Sequence, residues 1–131
     1  MERYLPVVYL ALLLGGIAYA LLRKRRDPTP EELDAKQLRR FAKNGVNLGR
    51  EQTIEFTLTF PERRVAETAA EQLQRKGFET EVYESQVDPK WICDIRHKTV
   101  PTAEKIRGLR LEVEGIGHLE QGQYWGWRIP H

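Results

Sequence analysis

One cysteine, one methionine and three histidines are all that the 131 residues hold of the side chains most often met in metal and nucleophile chemistry. The lone Cys93 excludes an intrachain disulfide framework and fits a reducing compartment. No CxxC pair, HExxH motif, Gly-rich phosphate loop or Ser-His-Asp pattern is present. The remaining nucleophile and base candidates fail on geometry. Cys93 and His97 share one face of a predicted strand, but i and i+4 on an extended chain stand about 13 Å apart. Glu112 and Glu114 fall about 200° apart around a predicted helix, so they do not form a carboxylate pair. His118 reads as a helix end and His131 as a tail. No catalysis, cofactor, metal or small-molecule substrate is expected.

A strong excess of one charge is lacking as well. The chain carries 21 Lys+Arg against 19 Asp+Glu. Five cations (Arg3, Arg23, Lys24, Arg25, Arg26) and one anion (Glu2) lie in or beside the N-terminal apolar stretch, which leaves 16 against 18, a balance of −2, in the rest. The pI near 8.8 is therefore no nucleic-acid footprint.

What is present first is an uncharged run, Tyr4 to Leu22, followed at once by Arg23, Lys24, Arg25 and Arg26. As a helix this run rises roughly 28 Å, close to the ~30 Å hydrocarbon core of a bilayer. Pro6 falls in the first turn, where its missing N–H costs nothing. The four cations form a stop-transfer flank, and the positive-inside rule places the rest of the chain in the cytoplasm. Residues 1–26 are thus expected to be a transmembrane anchor in the lipid bilayer of the inner (plasma) membrane, single-pass, with the C-terminal domain cytoplasmic. The competing reading is a signal peptide cleaved near Ala18-Tyr19-Ala20, but its positive charge would precede the apolar core rather than come after it. Asp27-Pro28-Thr29-Pro30 reads as a stiff linker, and 31–131 as one small domain.

Within that domain Glu31 to Asn44 reads as a helix, acidic at its start, basic at its end, and stopped by Asn44-Gly45. Thr53 to Phe60 alternates strictly, with Ile54, Phe56, Leu58 and Phe60 on a core face. Pro61 opens a helix that Gly77 ends. Phe78 to Val87 and Lys90 to Lys98 read as strands joined around Asp88-Pro89. Another helix begins after Pro101-Thr102, with the stripe Ile106, Leu109, Val113 and Ile116. Gln123 to Ile129 is a final strand, expected to set Trp125, Trp127 and Ile129 on one face and Trp127 against that stripe. The order is βαββαβ after an extra N-terminal helix: an α+β, ferredoxin-like split βαβ sandwich, preceded by a single transmembrane helix.

On the sheet face that two crossover helices leave open, alternation places Tyr83, Arg96 and Tyr124, with Arg128 beside them. Tyr83, Arg96 and Tyr124 are the candidate partner-binding residues. The same face is the best case for RNA stacking, but Glu55, Glu79, Glu81 and Asp94 would oppose a phosphate backbone, and covering by the leading helix is a third possibility.

The succession of a helix ending in Asn44-Gly45, a helix ending Lys76-Gly77-Phe78, a Trp-Ile-Cys-Asp strand, a Val100-Pro101-Thr102 helix start and a terminal Tyr124-Trp125-Gly126-Trp127 resembles the regulator of ribonuclease activity B, the ribonuclease E inhibitor family, over roughly Asp34 to Trp127. The resemblance implies a non-catalytic regulator with a protein partner, ribonuclease E, whose RNA degradation it modulates. Two departures stand out: Trp125 replaces the acidic residue of the family's Tyr-Asp-Gly-Trp, and no acidic extension follows His131. The expected function is a membrane-anchored, non-catalytic, protein-binding regulatory module; the alternative is a small RNA-contacting module at the membrane.

Overall fold

The computed structural model describes residues 27–130. The apolar run Tyr4–Leu22 and the flank Arg23–Arg26 lie outside the described residues. Among the described residues, no helix is long and apolar enough to cross a membrane. The longest, Ala103–Leu119, has 17 residues, and Glu104, Lys105, Arg107, Arg110, Glu112 and Glu114 interrupt it. The expected single-pass inner-membrane location, with its cytoplasmic domain, is corrected on this finding. Residues from Asp34 onward form one compact unit.

The described chain is α+β, with a four-stranded antiparallel sheet and three helices. Helix α1 spans Pro30–Lys43, β1 Gln52–Phe60, α2 Arg63–Arg75, β2 Glu79–Glu84, β3 Trp91–Thr99, α3 Ala103–Leu119 and β4 Gln123–Arg128. The sheet order is β2-β3-β1-β4. Each βαβ unit is therefore split: β3 lies between β1 and β2, and β1 between β3 and β4.

Local chemistry explains the boundaries. Thr29 Oγ1 accepts from Glu32 N–H and Thr102 Oγ1 from Lys105 N–H, so α1 and α3 both start on a threonine cap. Both α1 and α2 end on a glycine in the left-handed region, Gly45 and Gly77 (φ +90° and +95°). The residue after each returns its N–H to the last turn, Val46 to Phe41 O and Phe78 to Leu73 O. The same closure ends α3, where Gly122 N–H reaches Gly117 O, but there Gln121 takes the left-handed position at φ +58°.

The core lies between the sheet and α2 and α3. Ile54, Phe56, Leu58 and Phe60 of β1 are fully buried, with Ala66, Ala69 and Leu73 from α2 and Ile106 and Val113 from α3. Cys93 belongs to this core. Burial and the neighbouring Asp94 charge push its thiol up to about 12, so it stays protonated and inert at neutral pH.

The final strand departs from simple alternation. Thr57 pairs with Gly126 and Leu58 with Tyr124, so Trp125 is the extra residue of a β-bulge. Gly126 sits at φ +127°, a conformation that L side chains rarely adopt. The consequence reverses two expectations. Tyr124 turns to the helix side and packs against the core, while Trp125 turns to the open face, 58% exposed. Trp125 and Trp127 therefore lie on opposite faces of the strand.

Candidate interaction face

Among the described residues the helices leave one side of the sheet uncovered, and the pairing register arranges its side chains in three levels across the four strands. At the first, Tyr83 of β2 pairs with Ile92 of β3, which pairs with Thr59 of β1. On β4 the residue paired with Thr59 is Gln123, and the bulged Trp125 reaches the same level with its ring, donating its indole N–H to Thr59 Oγ1 at 2.7 Å. Lys90 Nζ stands 5.8 Å from the Trp125 ring centre. The second level runs Glu81, Asp94, Thr57, Gly126, and the third Glu79, Arg96, Glu55, Arg128.

These side chains are held rather than loose. Tyr83 donates its hydroxyl to Asp94 Oδ2 at 2.8 Å. Burial, then the bond to Asp94, pushes the Tyr83 phenol up to about 12, so it remains a donor throughout the physiological range. Asp94 itself is raised above the usual carboxylate value by burial. In the third level Glu55 is buried between two arginines: Arg96 Nε donates to Oε2 at 2.8 Å and Arg128 Nε to Oε1 at 2.7 Å. Burial alone would raise the Glu55 carboxyl, but the two guanidinium bonds outweigh it and hold the group below its ordinary 4.5. Arg96 also reaches Glu81 at 3.3 Å.

Of the three side chains expected here, the structure brings Tyr83 and Arg96 to one face and takes Tyr124 away from it. Tyr124 instead lines a groove of about 470 Å³ on the helix side, with Leu58, Leu111, Glu114, Gly117 and His118. Its hydroxyl is buried with no hydrogen-bond partner among the described residues. Burial, then the charge of Asp34, raises it well above the ordinary phenol value. Alternation missed Trp125, and its one sequence signal was Gly126 inside a strand, the residue type a bulge favours.

The leading helix does not cover the open face. From Asp34 onward its contacts are on the helix side: Asp34 accepts Trp127 Nε1–H and Arg110 Nε–H, both at 3.0 Å, and Gln37 donates to Trp127 O at 3.1 Å. Phe41 stacks tilted on Trp127 at 5.8 Å. Trp127 is buried as expected, but it is pinned by this helix.

A family description, regulator of ribonuclease activity B, matches residues 31–128. The chain belongs to that family. The match takes in α1 and ends on Arg128, so the regulator domain contains both the leading helix and the whole open face. No curated protein matches the chain. Membership of the regulator of ribonuclease activity B family points to regulation of ribonuclease activity through a protein partner.

Proposed function

We propose that this protein is a non-catalytic regulator that binds ribonuclease E through the open face of its sheet and modulates RNA degradation by that contact. The observation that carries the reading is the bare face itself, where two exposed aromatic side chains, Trp125 and Tyr83, are each fixed by a hydrogen bond. Rigid aromatics lose little rotamer freedom on docking and are the residues most often found at the energetic centre of interfaces. Arg96 and Arg128 supply the polar rim. The alternative, RNA contact on the same face, gains Trp125 as a stacking platform, but Glu79 and Glu81 on β2 stand against a phosphate backbone.

Titration of the full chain against ribonuclease E tests the proposal, reading binding and RNA cleavage together. Saturable association that survives removal of RNA, and that weakens at least about tenfold on Tyr83→Ala, supports it. Absence of binding and of any change in cleavage well above micromolar concentration refutes it. Association lost on ribonuclease treatment would transfer the face to RNA.

A further inference from the structure

The two outer strands of the sheet, β2 and β4, are finished differently. On β4 the leading helix closes the edge: Gln37 donates to Trp127 O, and Asp34 holds the Trp127 indole. On β2 one side pairs with β3, and α2 packs beneath, where Gln74 donates to Thr80 Oγ1. Among the described residues its other side has no strand. The register shows which backbone groups point there. Ser85 N–H bonds Lys90 O at 2.9 Å, and the pairs from Glu84–Trp91 to Glu79–Arg96 continue from it without a slip. Bonded and non-bonded pairs alternate along an antiparallel ladder, so Tyr83, Glu81 and Glu79 spend their N–H and C=O on β3. Thr80, Val82 and Glu84 turn theirs outward, where they meet no backbone partner among the described residues.

The side chains restrict what can pair with this edge. β2 carries Glu79, Glu81 and Glu84 and no cation. Arg96 reaches Glu81 at 3.3 Å, while Glu79 and Glu84 make no ion pair among the described residues. A second copy's β2 would bring three more carboxylates to the same edge, so self-pairing is opposed. An incoming strand rich in cations is favoured by the same charges. We propose that β2 is a docking edge for an extended, cationic segment of another protein, which adds to the sheet as a fifth strand. The outward backbone groups supply the affinity, and the three glutamates select lysine or arginine opposite them. Val82, packed against the core on the helix side, and Tyr83, on the open face, select apolar neighbours between those cations. The proposal concerns the edge and does not rest on the function proposed above.

A labelled peptide, acetyl-Lys-Ile-Val-Lys-Thr-Lys-amide, titrated with the full chain and followed by fluorescence anisotropy tests it. In antiparallel register its lysines oppose Glu84, Glu81 and Glu79. Saturable binding is expected, and replacing the lysines by glutamate should abolish it. Two probes separate strand addition from simple attraction of charge. N-methylation of the third and fifth peptide residues removes the N–H groups that face β2 and should weaken binding at least about tenfold. N-methylation of the second and fourth, whose N–H groups face away, should leave binding within about threefold. Val82→Pro removes an outward N–H that the folded sheet does not use, so it should weaken binding at least about tenfold with an unchanged circular dichroism spectrum. Glu84→Pro does the same at an exposed position and replaces Val82→Pro if that variant misfolds. Absence of binding at millimolar peptide, or binding indifferent to the N-methyl position and to proline on the edge, overturns the proposal and leaves nuclease binding at the open face standing.

Discussion

Substituting Asp34 by alanine is expected to be the most damaging single change in the polar structure of the domain. Asp34 is buried, and its two oxygens accept from Arg110 Nε and Trp127 Nε1 at 3.0 Å each. Arg110 is itself only 4% exposed. Removing the carboxylate leaves a guanidinium in a region of low dielectric without its closest counter-charge, a change that typically costs about 3–5 kcal/mol. Glu114, 3.7 Å from Arg110 and partly exposed, remains in reach and moderates this. The stranded indole N–H adds about 1 kcal/mol or more. A total near 4 kcal/mol corresponds to a fall in melting temperature of roughly 16–30 °C for a domain of this size. Urea denaturation of the full chain followed by circular dichroism measures it. The decisive comparison is the double variant Asp34→Leu with Arg110→Met, which removes both charges and should lie within about 2 kcal/mol of the original. A single variant costing under about 1 kcal/mol, or a double variant as damaged as the single, would refute the reasoning.

Gln121→Gly relieves a non-glycine residue at φ +58° and should raise stability by about 1 kcal/mol, seen as a higher melting temperature with unchanged structure. Tyr124→Phe removes a buried hydroxyl that has no partner among the described residues, so it should leave stability unchanged or raise it by up to about 1 kcal/mol in the same assay. Glu55 gives the pH dependence. Its folded carboxyl binds a proton less readily than the unfolded one, so its contribution is complete above the ordinary 4.5 and is lost as pH falls through the depressed folded value. Asp94, raised from 3.8, works in the opposite sense and softens the acid loss. Urea midpoints at pH 7 and at about pH 3 should differ less in Glu55→Gln than in the unmodified chain; an equal or larger difference would remove Glu55 from that role.

Much of this architecture was legible locally because the signals that set it are local. Alternation from Thr53 to Phe60 marked the central strand and its buried face. Gly45 and Gly77 marked two helix ends because a left-handed residue is needed there, and Pro101-Thr102 marked where the last helix begins. Features that depend on pairing were hidden. The bulge at Trp125-Gly126 exists only in relation to Thr57 and Leu58, so alternation carried past it and assigned Tyr124 and Trp125 to the wrong faces. Asp34 looked like one more acidic residue favouring a helix start, whereas its partners Arg110 and Trp127 lie 76 and 93 positions away. The leading helix was therefore recognised as an element without its anchorage. Gln121 gave no sign of its conformation, since glutamine has no preference for it.

The bulge has an optical consequence. Because it sends Trp125 and Trp127 to opposite sides of one strand, two indoles separated by a single glycine sample unlike surroundings, one largely in water and one enclosed beside Phe41. Occupation of the bare side should shift the emission of the first to shorter wavelength without touching the second. Loosening of the leading helix should expose the second and leave the first unchanged. With the third indole, Trp91 on β3, replaced by phenylalanine, further single tryptophan-to-phenylalanine replacements would assign each signal, giving a two-channel fluorometer for docking on one side and anchorage on the other.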